Sequence, residues 1–421
     1  MSDSAVACII FIAVMIIIIS ERIHRAVVAI FGAVLLLALG VMDVEAAAVY
    51  VDFNTIGVLV GMMLFMAIVK YSGLFESLAV ISAKAAKGDP WRIMIIYMII
   101  TALLSSVIDN VTTVLLMGPV TLAITRALRV NPVPFLMTQI MASNIGGTAT
   151  LIGDPPNIMI GGAAGLSFMD FVIFNGPVVL IVMTVIIIFF KFLYRSEMKN
   201  DSLGTKKIMK MDASRMVSDK SLLVKSIIVM LATVTGFVCS SSFNIETSVV
   251  ALSSAVIMLI IGKQDPEKIL AAVEWTTIIF FIGLFIIVGG LVETGTVDRI
   301  ASVIVNITQG NPMTTMLIIL WVSAVLSSTL DNIPFVATMI PLIAAMGESG
   351  MDISPLWWAL SLGACLGGNG TIIGASANVV VTGMSEKNGY PITYMQYFKI
   401  GFPVMLLSVA ICTVYMVVMY R

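Results

Sequence analysis

The sequence predicts an all-α polytopic membrane protein built from two inverted-topology repeats. Of its 421 residues, 59% are apolar and only 11% are charged, and the second half repeats the motifs of the first. Soluble proteins have roughly 45–50% apolar and about 25% charged residues, so a mean hydropathy of +1.08 leaves no large water-soluble domain. This composition excludes a soluble enzyme, a secreted disulfide-rich protein, a nucleic-acid-binding protein and a disordered regulator.

Apolar stretches that can cross a membrane occur along the whole chain. A hydrocarbon core of about 30 Å requires roughly 17–25 apolar residues. Eight stretches meet or approach this length: 5–20, 26–42, 55–72, 177–194, 222–241, 247–262, 277–292 and 402–420. Four others are interrupted by polar residues, glycine and proline: about 93–125, 132–165, 313–346 and 355–385. Interrupted helices survive at membrane depth only where the broken backbone is buried or lines a cavity, so we expect the functional site there.

The two halves of the chain carry the same polar motifs in the same order. A shift of 222 residues places Asp109 on Asp331 and Asn110 on Asn332. After one deletion the shift becomes 221, and the glycine- and asparagine-rich motifs beyond residues 144 and 367 then coincide. Chance matching of apolar residues does not reproduce such patterns at fixed offsets. The sequence therefore predicts a duplication.

Loop charges predict how the halves lie in the membrane, because Lys and Arg collect in cytoplasmic loops. The connector 195–225 carries eight basic and four acidic residues, which makes it cytoplasmic. Segment 93–125 has basic flanks and segment 313–346 mostly acidic ones, so each is predicted to be a re-entrant hairpin, entering from opposite sides. Arg25 is assigned to the cytoplasmic side, and Glu274 to a helix start, where acids favour the helix dipole.

Each half is predicted to cross the membrane five times and to contain one hairpin. Because five is an odd number, the second half is inverted relative to the first. The predicted organisation is a first inverted repeat (1–194), a cytoplasmic basic linker (195–221) and a second inverted repeat (222–421). The first repeat contains the hairpin 93–125 and the broken helix 132–165; the second contains the hairpin 313–346 and the broken helix 355–385. Inverted repeats whose broken helices meet at the midplane are typical of secondary transporters.

Each predicted hairpin tip carries an Asp-Asn pair, at Asp109 and at Asp331. Both residue types are good helix N-caps, which explains part of the pattern. A carboxylate at the bilayer centre costs about 2.5–3.5 kcal/mol on insertion scales, whereas Ser or Asn would cap without that cost. Retention of the acid in both halves indicates a cation ligand or proton carrier.

The broken helix of the first half reads NIGGTATLIGDPPN from Asn144, and its mate reads GGNGTIIGASAN from Gly367. Small residues also serve close helix packing, but packing does not explain the acid, prolines and asparagines. Asp154 precedes Pro155 in an N-cap/N1 arrangement, so a new half-helix is predicted to begin there. In the second half, Ala375 occupies the position equivalent to Asp154. Because only the first break then carries an ionisable group, we place the coupling ion nearer the first break.

These motifs, together with SSVIDNVTTVLLMGP from Ser105, resemble the ion-transporter superfamily. They are most similar to its ArsB/NhaD branch of arsenite permeases, sodium/proton antiporters and P-protein-like transporters, and more distantly to divalent anion:sodium symporters. The resemblance implies a scaffold domain and a mobile transport domain. It leaves a homodimer and a separate arsenical-pump ATPase open as partners, besides the lipid bilayer and a small ion or molecule.

The expected function is secondary active transport across the inner (plasma) membrane by alternating access. Arsenite or antimonite export coupled to protons and sodium/proton antiport are the leading activities. The hairpin tips carry carboxylates, and the broken helices contain no Lys or Arg. These charges favour a cation or a neutral hydroxide as the substrate over a dicarboxylate, which the acids would repel. Sodium-coupled citrate or dicarboxylate symport, a passive ion channel and the membrane subunit of an ATP-driven pump are the alternatives.

No enzymatic activity and no cofactor besides a coupling H⁺ or Na⁺ is expected, since nucleotide, haem and zinc motifs do not occur in the sequence. The coupling ion is expected at Asp109, Asp154 and Asp331. The other residues expected to line the substrate and ion sites are Asn110, Asn144, Thr148, Thr150, Asn157, Asn332, Asn369, Thr371, Ser376 and Asn378.

Overall fold

The computed structural model describes residues 2–20, 22–195, 197–198 and 202–421; residues 196 and 199–201 of the predicted linker lie outside the described residues. The described residues form helices joined by short loops and contain no β-strand, which confirms the predicted all-α fold. Seven helices in this part of the chain are long and apolar enough to cross a membrane: Phe53–Lys70, Asn110–Leu128, Phe168–Leu193, Lys220–Phe243, Trp275–Glu293, Pro312–Thr329 and Tyr394–Met419.

Ten helices of the first half recur in the same order in the second half. The first half contains α1 (Asp3–Ile19), α2 (Arg25–Ala38), α3 (Val44–Tyr50), α4 (Phe53–Lys70), α5 (Leu74–Ala85), α6 (Pro90–Ser105), α7 (Asn110–Leu128), α8 (Val133–Gly147), α9 (Pro155–Ala164) and α10 (Phe168–Leu193). The connecting segment contains α11 (Ser202–Lys210). The second half contains α12 (Lys220–Ser240), α13 (Thr247–Gly262), α14 (Pro266–Ala271), α15 (Trp275–Glu293), α16 (Thr296–Ile307), α17 (Pro312–Thr329), α18 (Asn332–Glu348), α19 (Ser354–Gly367), α20 (Ser376–Lys387) and α21 (Tyr394–Met419).

The four interrupted segments are helix pairs. Helices α6 and α7 form the first pair, and α17 and α18 form its repeat mate. Asp109 caps α7 by accepting a hydrogen bond from the backbone N–H of Thr112 (2.8 Å), and Asp331 caps α18 by accepting one from Ile333 (3.3 Å). The breaks separate α8 from α9 and α19 from α20. Inversion of the two halves across the membrane stays a prediction.

Glycines let the backbones of one helix group approach closely. Helix α4 packs on α13, and the repeat-related α15 packs on α2. A Cβ atom at Gly61 would lie 2.6 Å from the backbone carbonyl carbon of Ala251, and one at Gly283 would lie 2.6 Å from that of Ala29. Since Gly61 and Gly283 occupy equivalent repeat positions, both halves use the same contact. The hairpins and broken helices pack mainly with one another in a second group.

Two asparagines satisfy the backbone of the breaks. The side-chain amide of Asn157 donates to the carbonyl oxygen of Thr150 (2.9 Å), and that of Asn378 donates to those of Gly368 (2.7 Å) and Thr371 (2.9 Å). The hydroxyls of Thr150 and Thr371 donate to carbonyls at the ends of the hairpin arms α6 and α17. Each break is thereby bonded within itself and to a hairpin, as a chain without water access requires.

Gly61→Ala and Gly283→Ala should destabilise the protein by about 1–3 kcal/mol each, since an added Cβ overlaps a neighbouring backbone that has little room to move. Thermal denaturation of the purified protein in detergent measures the effect. Gly176→Ala, where nothing lies within 4 Å of the added atom, is the control. Equal denaturation temperatures for the three variants would contradict the proposed contact.

Asn157→Ala and Asn378→Ala should each destabilise the fold, because an unpaired buried carbonyl costs about 1–3 kcal/mol. The monodisperse fraction in size-exclusion chromatography after heating reports the loss. Asn306→Ala, on the exposed side of α16, should behave as wild type. Wild-type behaviour of the two break variants would rule out this role.

Candidate ion-binding site

Asp154 is a buried carboxylate where both hairpin tips meet. It stands at the predicted N-cap position of α9, yet its side chain makes no capping hydrogen bond. Its Oδ1 atom instead accepts hydrogen bonds from the side-chain amides of Asn110 (3.4 Å) and Asn332 (3.3 Å). Asp154 is only 1% exposed. One carboxylate from the first break therefore joins the tips of both halves.

A buried asparagine network continues from these tips into both breaks. Asn144 accepts from the amide of Asn110 (3.4 Å) and donates to the side-chain oxygens of Asn369 (2.9 Å) and Asn378 (3.0 Å). The second break therefore contributes neutral amides where the first contributes a carboxylate. Hydrogen bonds of this kind hold buried amides in fixed positions, although the side-chain nitrogen of Asn369 has no hydrogen-bond partner among the described residues.

A cavity of about 30 Å³ lies beside Asp154. Its lining includes the carboxylates of Asp109, Asp154 and Glu274 and the side chain of Arg25. A cavity needs about 10–15 Å³ of space open to a water-sized sphere to hold one water molecule, so this cavity has room for a monatomic cation or about two to three waters. It does not have room for a tricarboxylate.

Arg25 reaches this region although sequence reasoning assigned it to loop charge. Its Nη1 atom lies 2.5 Å from Oδ2 of Asp331 and 3.1 Å from Oγ of Ser376. Its guanidinium carbon lies 5.1 Å from the centre of the Phe280 ring. The residue equivalent to Arg25 in the second repeat is Thr247. A charge present in only one repeat was therefore the sequence signal that could have identified Arg25 as a site residue.

Glu274 is the second residue that sequence reasoning missed. It occupies the predicted helix-start position before α15, and its carboxylate accepts a hydrogen bond from the hydroxyl of Thr277 (3.2 Å). Its repeat mate Asp52 caps α4 and lines a different cavity, of about 680 Å³. The two equivalent acids therefore have different surroundings.

The predicted site residues divide into three groups. Five line the small cavity: Asp109, Asn110, Asp154, Asn332 and Ser376. Seven are buried in the hydrogen-bonded breaks: Asn144, Thr148, Thr150, Asn157, Asn369, Thr371 and Asn378. Asp331 instead lines a mainly apolar cavity of about 770 Å³ between α1, α16 and α18.

Comparisons with known proteins extend over nearly the whole chain. A family model described as "Citrate transporter" matches residues 15–363. An uncharacterized transporter of Mycobacterium tuberculosis is 40% identical over 99% of both chains, and the P protein of Mus musculus is 32% identical over 95% of this chain and 58% of its own length.

The fold is also similar to a solved structure. The YdaH transporter of Alcanivorax borkumensis superposes with a TM-score of 0.67, covering 94% of this chain and 98% of that one at 12% identity. This likeness supports the helical fold, and the sequence matches confirm the resemblance stated above. The chain is a multi-pass membrane transporter that belongs to the citrate transporter (CitMHS) family, within the ArsB/NhaD-type ion transporter superfamily.

Proposed function

We propose that this transporter couples transport to a cation, H⁺ or Na⁺, which binds at Asp154 with Asp109 as a neighbouring acid. The observation that carries the proposal is the buried Asp154 carboxylate between Asn110 and Asn332. In the part of the chain that the structure describes, neither Asp154 nor Asp109 forms an ion pair. A buried carboxylate without a counterion is costly, and a bound proton or sodium ion neutralises it.

Alternating access follows from the two helix groups. The group around α4, α13, α2 and α15 is joined by close backbone contacts and serves as the scaffold. The hairpins and broken helices carry Asp109 and Asp154 and form the moving part. A charged site resists passage through the apolar interior, so only the cation-loaded site moves. This makes cation binding the step that permits transport.

Sodium/proton antiport fits the size and charge of the site best. The cavity of about 30 Å³ accommodates a monatomic cation, and its three lining carboxylates outnumber the one guanidinium. Neutral trivalent arsenic or antimony hydroxide would meet no repulsion from these acids, so arsenite export against protons would use the same carboxylate chemistry.

Citrate symport is the second candidate function, and two observations favour it. The family model that matches the chain is described as "Citrate transporter", and Arg25 lies beside Ser376 at the site. Arginine binds carboxylates through paired hydrogen bonds. Against this candidate, the small cavity must enlarge several-fold to admit citrate.

A flux screen on sealed proteoliposomes tests the proposed function. Sodium, arsenite and citrate are each added outside vesicles that contain a pH indicator. We expect sodium to produce a protein-dependent pH change and citrate to produce none. Flux that is linear in the driving force and never accumulates substrate would instead identify a channel.

Asp154→Asn and Asp109→Asn should each lower cation-driven flux by at least about a hundredfold, since removing a group that carries the coupling proton or ion blocks the loaded state. Both variants should keep wild-type elution in size-exclusion chromatography. The matched control is Asp298→Asn, an exposed acid in the first turn of α16. Wild-type coupling in Asp154→Asn would refute the assigned role.

A further inference from the structure

We infer that Arg25 acts as a built-in cation for Asp331, so that Asp331 does not take up the coupling ion. This inference rests on the proposed cation coupling and restricts it to the acids of the first repeat. It revises the expectation that Asp109, Asp154 and Asp331 have equivalent roles. Arg25 is a positioning residue in this account, because it acts through Asp331.

Both carboxylate oxygens of Asp331 already have partners. Oδ2 lies 2.5 Å from the Arg25 guanidinium and accepts a hydrogen bond from Ser376 (3.1 Å), and Oδ1 caps α18 through Ile333. The side chain of Arg25 is 29% exposed and that of Asp331 14% exposed. Because water screens such a pair only in part, the guanidinium repels a second cation at this carboxylate.

Asp109, the tip acid of the first repeat, lacks every partner that Asp331 has. Asp109 occupies the position equivalent to Asp331, and it forms no ion pair among the described residues. The residues equivalent to Arg25, Phe280 and Ser376 are, in that order, Thr247, Val58 and Pro155. Asp331 therefore has a cation contributed by the first repeat, and the second repeat supplies an aromatic face beneath that cation and a hydroxyl beside it. The positions equivalent to these three residues supply no cation, aromatic face or neighbouring hydroxyl to Asp109.

Asp331 itself lies outside the small polar cavity, and Arg25 lines both that cavity and the larger apolar one. Asp109 and Asp154 line the small polar cavity, whereas Asp331 faces the larger apolar one. An acid that received the coupling ion would be expected to face the same space as the other two. The geometry separates two acids that lack a cationic partner from one that has it.

Removing the pair one charge at a time tests this inference. Asp331→Asn leaves Arg25 unpaired, and Arg25→Gln leaves Asp331 unpaired, so each should lower cation-driven flux at least tenfold. The double variant R25Q/D331N should recover at least tenfold relative to Asp331→Asn. Combining Arg25→Gln with Asp109→Asn is the matched control and should give no recovery.

Cation counting supplies a readout that a purely structural pair would not move. Sodium binding is measured by scintillation proximity with ²²Na, and proton uptake or release by a pH indicator, on purified protein. We expect Asp331→Asn and R25Q/D331N to bind as many cations per monomer as wild type, Arg25→Gln to bind one more and Asp154→Asn one fewer.

One cation fewer in Asp331→Asn, or no recovery in a folded R25Q/D331N, would overturn the inference while leaving cation coupling intact. If the double variant does not fold, the number of cations bound by Asp331→Asn alone tests the inference: a count equal to that of the wild type supports it, and one cation fewer overturns it. Absence of any cation-coupled flux in the wild type would contradict the proposed function itself, so the two failures are distinguishable.

Discussion

The helical backbone is interrupted twice within the apolar interior, and the peptide groups at both breaks must find hydrogen-bond partners inside the protein. Carbonyl groups at the breaks have no water to bond with, and the amides of Asn157 and Asn378 take that role. Asn378 in turn accepts from Asn144, which accepts from Asn110. The hydrogen bonds that satisfy the backbone carbonyls of the breaks therefore also fix the side chains that surround Asp154.

The duplication preserves this backbone arrangement but not its charges. Asp154 corresponds to Ala375, and Arg25 corresponds to Thr247. In the proposed mechanism, these unequal charges place cation binding nearer the first break than the second.

Residue patterns predicted much of this arrangement. The apolar stretches and the polar motifs at a constant offset predicted the helices and the turns before α7 and α18, whereas ion binding at Asp109, Asp154 and Asp331 stays a prediction. Arg25 and Glu274 were missed because loop charge and helix-start acids also explain such residues. The pairing of Arg25 with a residue 306 positions away depends on how α2 packs against α15 and on where the α18 tip lies, which no local pattern contains.

Coupling through Asp154, as proposed, requires this carboxylate to change its protonation or ion occupancy during transport. Infrared difference spectroscopy on lipid-reconstituted protein measures this directly, by comparing carboxyl stretching bands before and after sodium addition at constant pH, and across a pH step. We expect a difference band that is lost in Asp154→Asn and kept in Asp331→Asn. An unchanged band in Asp154→Asn would contradict coupling through Asp154.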